Sequence, residues 1–123
     1  MKSHPIKSFR EFWPYYVGEH RHPVCRALHY QGSALGLGCV VAAIALQNPW
    51  LVLLALPIGY GHAWVGHFFV EKNRPATFTY PLWSFAGDWK MFGYFVTGRM
   101  GREVERLYGS RAPTADAPLL VKE

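Results

Sequence analysis

Hydrophobic and polar positions are spread unevenly along this chain. Between Arg26 and Glu71 lie 44 residues without one Asp, Glu, Lys or Arg. About 20 apolar residues suffice for one bilayer crossing, so a run of this length suits two. It is broken at Asn48-Pro49, a pair that favours a turn. The pattern therefore predicts a helical hairpin, with a first helix from about Val24 to Leu46 and a second from about Trp50 to Glu71. Pro23 stands where a first helical turn tolerates proline. Gly32, Ser33, Gly36 and Gly38 include a Gly32-x-x-x-Gly36 spacing that lets another backbone come close, and the second helix is the expected partner. Pro57, Gly59 and Gly61 predict a kink or local unwinding in the middle of that second helix.

The flanks read differently. Ser8 to Tyr16 is an amphipathic, aromatic entry segment whose helix Pro14 should limit. Glu71 to Pro81 carries two prolines among polar residues and reads as a loop. Pro81 to Thr97 starts another helix with Asp88 and Lys90 in its middle. It is expected in the interface or partway into the bilayer, and a third crossing would require those charges to face protein. Arg99 to Tyr108 is a short amphipathic continuation. Gly109 to Glu123, rich in proline, small and polar residues, is expected to be a disordered tail. The predicted fold is all-α: an integral membrane hairpin with additional interfacial or partly embedded helices, in one domain over 1–108 followed by a tail over 109–123.

Composition sharpens this picture. A chain of 123 residues has room for one domain, and its mean hydropathy near zero averages an apolar middle with basic ends. The formal net charge of +5 would suit nucleic acid, but the basic residues flank the hairpin and none lies in its turn. That is the positive-inside pattern, which excludes nucleic acid as the expected partner and places both termini in the cytoplasm. The host would be the bacterial inner membrane or the endoplasmic reticulum. Trp50, Trp64, Trp83 and Trp89, with Tyr15, Tyr16, Tyr60 and Tyr80, mostly fall near the expected boundaries, where amphipathic rings prefer to sit. The first long apolar run starts too late for a signal peptide. Cys25 and Cys39 lie on one predicted helix and cannot bridge each other, so both are expected to be reduced.

Histidines supply the candidate chemistry. His29 and His67 each lie nineteen residues from Asn48, so a hairpin folded there brings both imidazoles to its open end. His20 and His22 immediately precede the first helix, and Glu71 follows His67 by four, sharing its face on an α-helix. Ionisable groups in such a segment are functional candidates by default. His29, His67 and Glu71 would make the open-sided two-histidine, one-carboxylate set of non-haem Fe(II) oxygenases, whereas adding His20 makes a histidine-rich site. Plainer readings stand beside these. Boundary histidines often only hydrogen bond, Glu71 could pair with Lys72, Arg74 or Arg26, His4 reads as a solvated tail residue, and His62 reads as packing or lining a cavity. Pro23 weakens the case for His22.

The strings FWPYYVGEHRHPVCRALHYQGS (Phe12 to Ser33), GYGHAWVGHFFVEKNRPATF (Gly59 to Phe78) and YPLWSFAGDWKMF (Tyr80 to Phe92) resemble the Mpo-like family. A histidine, a downstream LHxxG and the block GHxxxEKNRPA occur in the family's order. The resemblance implies a membrane Fe(II)-dependent dioxygenase that shortens 2-hydroxy fatty acids by one carbon, as the characterised fungal member of the endoplasmic reticulum does. It places the family's histidines on His20, His29 and His67, the expected metal ligands, followed by Glu71, Asn73, Arg74 and Pro75. His22 and His62 receive no role from it. Glu71 and Arg74 become the expected catalytic residues, with Arg74 or Lys72 steadying the substrate carboxylate. Expected partners are a 2-hydroxy fatty acid or related lipid and the membrane, and oligomeric state stays open. Three other readings compete: a metal-dependent lipid hydrolase, a haem-binding electron carrier with His29 and His67 as axial ligands, and a structural membrane protein.

Overall fold

The computed structural model describes residues 6–121, and His4, expected to be a solvated tail residue, lies outside them. Among the described residues there are five α-helices and no strand: α1 (Phe9–Gly18), α2 (Pro23–Ala45), α3 (Trp50–Val65), α4 (Pro81–Val96) and α5 (Met100–Tyr108). A π-helical segment, Gly66–Glu71, continues α3, and a 3-10 turn, Ala76–Phe78, precedes α4. The chain divides into two compact units. One is the hairpin, His22–Pro75; the other joins the flanks, Met1–Arg21 and Ala76–Glu123.

The hairpin turn is built from local hydrogen bonds. Gln47 adopts a left-handed conformation, φ 52°. Its N–H donates to Ile44 O and that of Asn48 to Ala43 O, the paired bonds that close a helix C-terminus. Asn48 Oδ1 then accepts from Trp50 N–H at 3.2 Å, capping the helix that follows. Between the arms the glycines act as read from their spacing. A Cβ on Gly32 would come within 2.9 Å of His62 Cβ and 3.1 Å of Gly59 O, and one on Gly36 would touch Ala55. Backbones this close are possible only without side chains. The apolar residues point outward instead: Leu53, Leu56, Ile44 and Phe69 are exposed, the last two at 73%. Two helices, Pro23–Ala45 and Trp50–Glu71 as one continuous span, are long and apolar enough to cross a membrane.

The expected helix irregularity is found elsewhere. Pro57 lies inside α3, which runs unbroken as α-helix through it and through Gly59 and Gly61. The departure occurs further on, at Gly66–Glu71, where hydrogen bonding becomes π-helical. Gly66 is packed against α2 so closely that a Cβ would lie 2.9 Å from Cys25 Sγ and 3.3 Å from Cys25 Cα.

In the flanking unit, bulk does the packing. Ser8 Oγ accepts from Glu11 N–H and Glu11 Oε1 accepts from Lys7 N–H, so the start of α1 is capped from both directions. Pro14 does not end this helix, which continues to Gly18 with the proline buried and its carbonyl accepting from Tyr108 Oη at 2.7 Å. Phe12, Trp13, Tyr16 and Val17 of α1 are buried, as are Met91 of α4 and Val104, Leu107 and Tyr108 of α5. Phe12 meets Tyr80 and Trp83 at centroid distances of 5.5 and 5.8 Å. Lys90 Nζ lies 4.3 Å from the Trp13 ring centroid, and Trp13 Nε1 donates to Glu103 at 2.8 Å. With 16 residues, α4 is roughly 24 Å long, short of a bilayer's hydrocarbon thickness. Beyond Gly109, where a disordered tail is expected, no helix forms, yet Arg21 Nη1 donates to Thr114 O and Ala117 O and Leu120 N–H donates to Leu107 O.

Candidate metal centre

Within the hairpin, His29 on α2 and His67 on the π-helical segment face one another. Both are buried, and their rings meet edge to face with centroids 4.9 Å apart and planes at 85°. Their equal distance from Asn48 is what brings them level. Gly66, immediately before His67, removes the Cβ that would hold the segment away from Cys25, one turn before His29 on α2.

Each ring is oriented through Nδ1. His29 Nδ1 donates to Cys25 O at 2.8 Å. His67 Nδ1 lies 2.7 Å from Asn73 Oδ1, which accepts. The Asn73 contact depends on an unusual turn. Lys72 takes a left-handed conformation, φ 64° and ψ 40°, which folds the chain back so that Asn73 N–H also donates to His67 O at 2.9 Å. Asn73 thus holds both the backbone and the ring of His67. Sequence reasoning placed Asn73 in a block with no role of its own. The signal available was an Asn just past a helix end, a residue that favours such turns, although here the left-handed position falls on Lys72.

In the flanking unit, His20 is 1% exposed. Its Nδ1 donates to Tyr16 O at 2.6 Å and its ring lies 4.1 Å from that of Tyr16. All three histidines therefore use Nδ1–H on an oxygen acceptor, which in a neutral imidazole puts the lone pair on Nε2. This is the way metal-ligating histidines are commonly oriented.

The other candidates are engaged differently. Glu71 Oε2 accepts from His22 N–H at 2.6 Å, at the N-terminus of α2, with Arg26 and Cys25 also near it. A carboxylate there satisfies a helix-end donor and complements the helix dipole. Glu71 closes the π-helical segment that holds His67, and its carboxylate is taken up by the start of α2. His22 is exposed, and its Nδ1 accepts from Val24 N–H as an N-cap. His62 Nδ1 donates to Ile58 O while its Nε2 accepts from Gln31 at 3.0 Å, fastening the two arms together. Lys72 and Arg74 are exposed on the loop that follows.

No curated protein and no solved structure matches the chain. Residues 6–100, however, match the family described as 2-hydroxy-palmitic acid dioxygenase Mpo1-like. That stretch holds the hairpin with its buried His29 and His67, and also His20, and by it this chain belongs to the Mpo1-like family.

Proposed function

We propose that this chain is a membrane-embedded, Fe(II)-dependent dioxygenase that shortens 2-hydroxy fatty acids, or closely related lipids, by one carbon, with His20, His29 and His67 as its metal ligands. The observation that carries the reading is the shared orientation of three buried imidazoles, each held through Nδ1 by a carbonyl or amide oxygen. As a donor set, these three could hold a metal ion. Adjacent imidazoles on one ion, each about 2 Å from it, have ring centroids roughly 4.5–5 Å apart. The His29 and His67 rings fit, at 4.9 Å. Axial ligands of a haem lie on opposite faces with centroids roughly 6 Å apart, so the same spacing argues against the haem reading. The family description supplies the substrate class.

In this reading His20, His29 and His67 would hold Fe(II), which would supply oxygen activation when bound. The protein's own work is positional. The glycine seam sets the arms at the distance that pairs His29 with His67, and Asn73 fixes the His67 ring. Glu71 anchors the start of α2, the helix that carries His29. Lys72 and Arg74, exposed on the loop after His67, would meet the substrate carboxylate. The outward-facing aliphatic side chains of the hairpin put the acyl chain's natural surroundings, lipid, against the protein. Basic residues flanking the hairpin orient it with both termini in the cytoplasm.

Protein purified without oxygen and analysed for metals should carry iron. It should consume oxygen with a 2-hydroxy fatty acid, but not with the unhydroxylated acid, and release a product one carbon shorter. Purified protein with no iron, or with iron but no oxygen uptake, overturns the reading. A Soret band would indicate haem, and oxygen-independent turnover with bound metal would indicate hydrolysis.

A further inference from the structure

His20 is held in a way that the other two histidines are not. It lies just past the end of α1, and the Tyr16 carbonyl to which it donates also accepts from Glu19 N–H at 3.0 Å. A histidine donating to such a carbonyl is ordinary. Here the residue that supplies the carbonyl, Tyr16, also lays its ring against the imidazole, at 4.1 Å and 31°. The Tyr16 hydroxyl in turn donates to Asp88 Oδ1, from α4, 72 positions later in the chain. The approach of α4 depends on Gly87, where a Cβ would lie 3.1 Å from Tyr16 Cδ2 and Cε2. Tyr16 is 1% exposed.

We propose that Asp88 and Tyr16 are positioning residues for His20, a carboxyl-to-phenol clamp that fixes the plane of the imidazole for metal binding. The proposal rests on His20 being a ligand, as in the function proposed above. A phenylalanine at 16 facing an aliphatic residue at 88 would fill the same space without half-burying a carboxyl. Burial pushes Asp88 up to about 7, although the Tyr16 hydroxyl bond pulls the other way, so this polar pair is costly as mere packing. Its geometric effect is specific. A ring in van der Waals contact can slide or tilt, but one tethered at its far end by a directional hydrogen bond cannot, and neither can the imidazole against it. The arrangement resembles the outer partners that orient ligands in metal sites, with the difference that Tyr16 acts on the ring's face as well as on Nδ1.

The test uses the full chain in detergent, metal-free, titrated with Co(II) under nitrogen and followed by visible absorption. In parallel, the nitrogen NMR shifts of the His20 ring are recorded without metal. Tyr16→Phe and Asp88→Ala should each weaken Co(II) binding about 10 to 100-fold, the range typical of outer-shell losses. The double variant should be no weaker than either single one, because both break the same link. Asp88→Asn, which keeps an acceptor for the hydroxyl, should bind nearly as the wild type does. Without metal, the Nδ1–H bond to the Tyr16 carbonyl, which every variant keeps, should preserve the tautomer, while the His20 ring resonances should shift and broaden in Tyr16→Phe and Asp88→Ala but not in Asp88→Asn, a change that loosened packing alone would not sort in this way. Wild-type Co(II) affinity in Tyr16→Phe and Asp88→Ala, alongside loss in His20→Ala, overturns the clamp and leaves the metal reading standing. Undiminished affinity in His20→Ala overturns the metal reading itself, and with it the purpose assigned to the clamp.

Discussion

The two units are held together by opposite means. In the hairpin the buried residues of α2 are Cys25, Arg26, His29, Gly32, Gly36 and Ala43, while its leucines, valines and isoleucine mostly face outward. In the flanking unit the buried residues include Phe12, Trp13, Tyr16, Met91, Val104 and Leu107, the usual contents of a water-soluble core. The first unit packs by leaving side chains out, as helices do where lipid removes the hydrophobic drive to associate. The second packs by filling space with rings. Polar groups inside the hairpin therefore have close backbones around them, which explains why His29 and His67 are oriented by main-chain and amide oxygens.

The largest effect expected is on the histidine pair. His29→Ala or His67→Ala should remove iron from the purified protein and abolish oxygen uptake, whereas His62→Ala, which loses hydrogen bonds to Gln31 and Ile58, should retain iron. Iron at wild-type levels in both single alanine variants would separate the hairpin's polar interior from metal chemistry.

The next prediction sharpens the contrast in packing. Leu107 is fully buried and Ile44 is 73% exposed. Leu107→Ala should destabilise the protein by about 2–5 kcal/mol, measured by denaturation in detergent. Ile44→Ala should change stability by less than about 0.5 kcal/mol. Similar losses in the two would mean that the hairpin's outer face is covered by protein rather than by lipid or detergent.

A third and smaller effect tests packing by omission. At Gly66 an added Cβ meets Cys25 Sγ at 2.9 Å and Cys25 Cα at 3.3 Å, and the second of these is backbone that cannot swing aside. Gly66→Ala should cost about 1–3 kcal/mol and also weaken metal binding, since it moves His67. Gly38→Ala, with nothing within 4 Å of its Cβ, should be neutral or slightly stabilising. An equal response at the two glycines would remove the close seam from the account.

Much of the hairpin was legible because its constraints are local or symmetric. An uncharged run, a turn-forming pair and two equidistant histidines set both arms, and the observed ends, Pro23–Ala45 and Trp50 onward, lie within about a residue of the expected ones. The Gly32-x-x-x-Gly36 spacing named its partner correctly. The irregularity was misplaced because Pro57, Gly59 and Gly61 carry the usual signals of a break, while Gly66–Glu71 departs from α-helix for a reason external to its own sequence, the close contact of Gly66 with Cys25. Pro14 misled in a similar way: it sits buried in a helix held by tertiary contacts, among them the Tyr108 hydroxyl on its carbonyl, from a residue 94 positions away that no local window contains. Asp88 and Tyr16 were invisible for the same cause. A charge in the middle of an apolar helix can be noticed in a sequence, but its partner cannot be named until the fold brings α4 to α1.

The smallest effect concerns Glu103, whose carboxylate accepts from Arg106 at 2.8 Å and from Trp13 Nε1 at 2.8 Å. The bond from Arg106 holds its pKa below the ordinary carboxylate value, with the Trp13 bond adding to this and burial opposing it. A carboxylate whose folded pKa is depressed contributes stability above its unfolded pKa, and that contribution is lost as pH falls through the folded value. Arg106 is largely exposed, so the pair is screened and Arg106→Ala should cost no more than about 1 kcal/mol at pH 7. The difference from wild type should shrink at high salt and disappear in acid, once Glu103 is protonated in both folded and unfolded chains. Asp88, in the same unit, should give the opposite sign. Its carboxyl is raised to about 7 by burial, so the folded state holds a proton that the unfolded state has released, and stability should fall as pH rises from about 4 through 7. Denaturation of the metal-free protein across pH 3 to 9 separates the two groups, with Asp88→Asn flattening only the upper part of the profile and Arg106→Ala only the lower. A profile unmoved by Asp88→Asn would show that this carboxyl is not buried as described, and an Arg106→Ala difference that persists after Glu103 has been protonated would assign Arg106 a packing role in place of an electrostatic one.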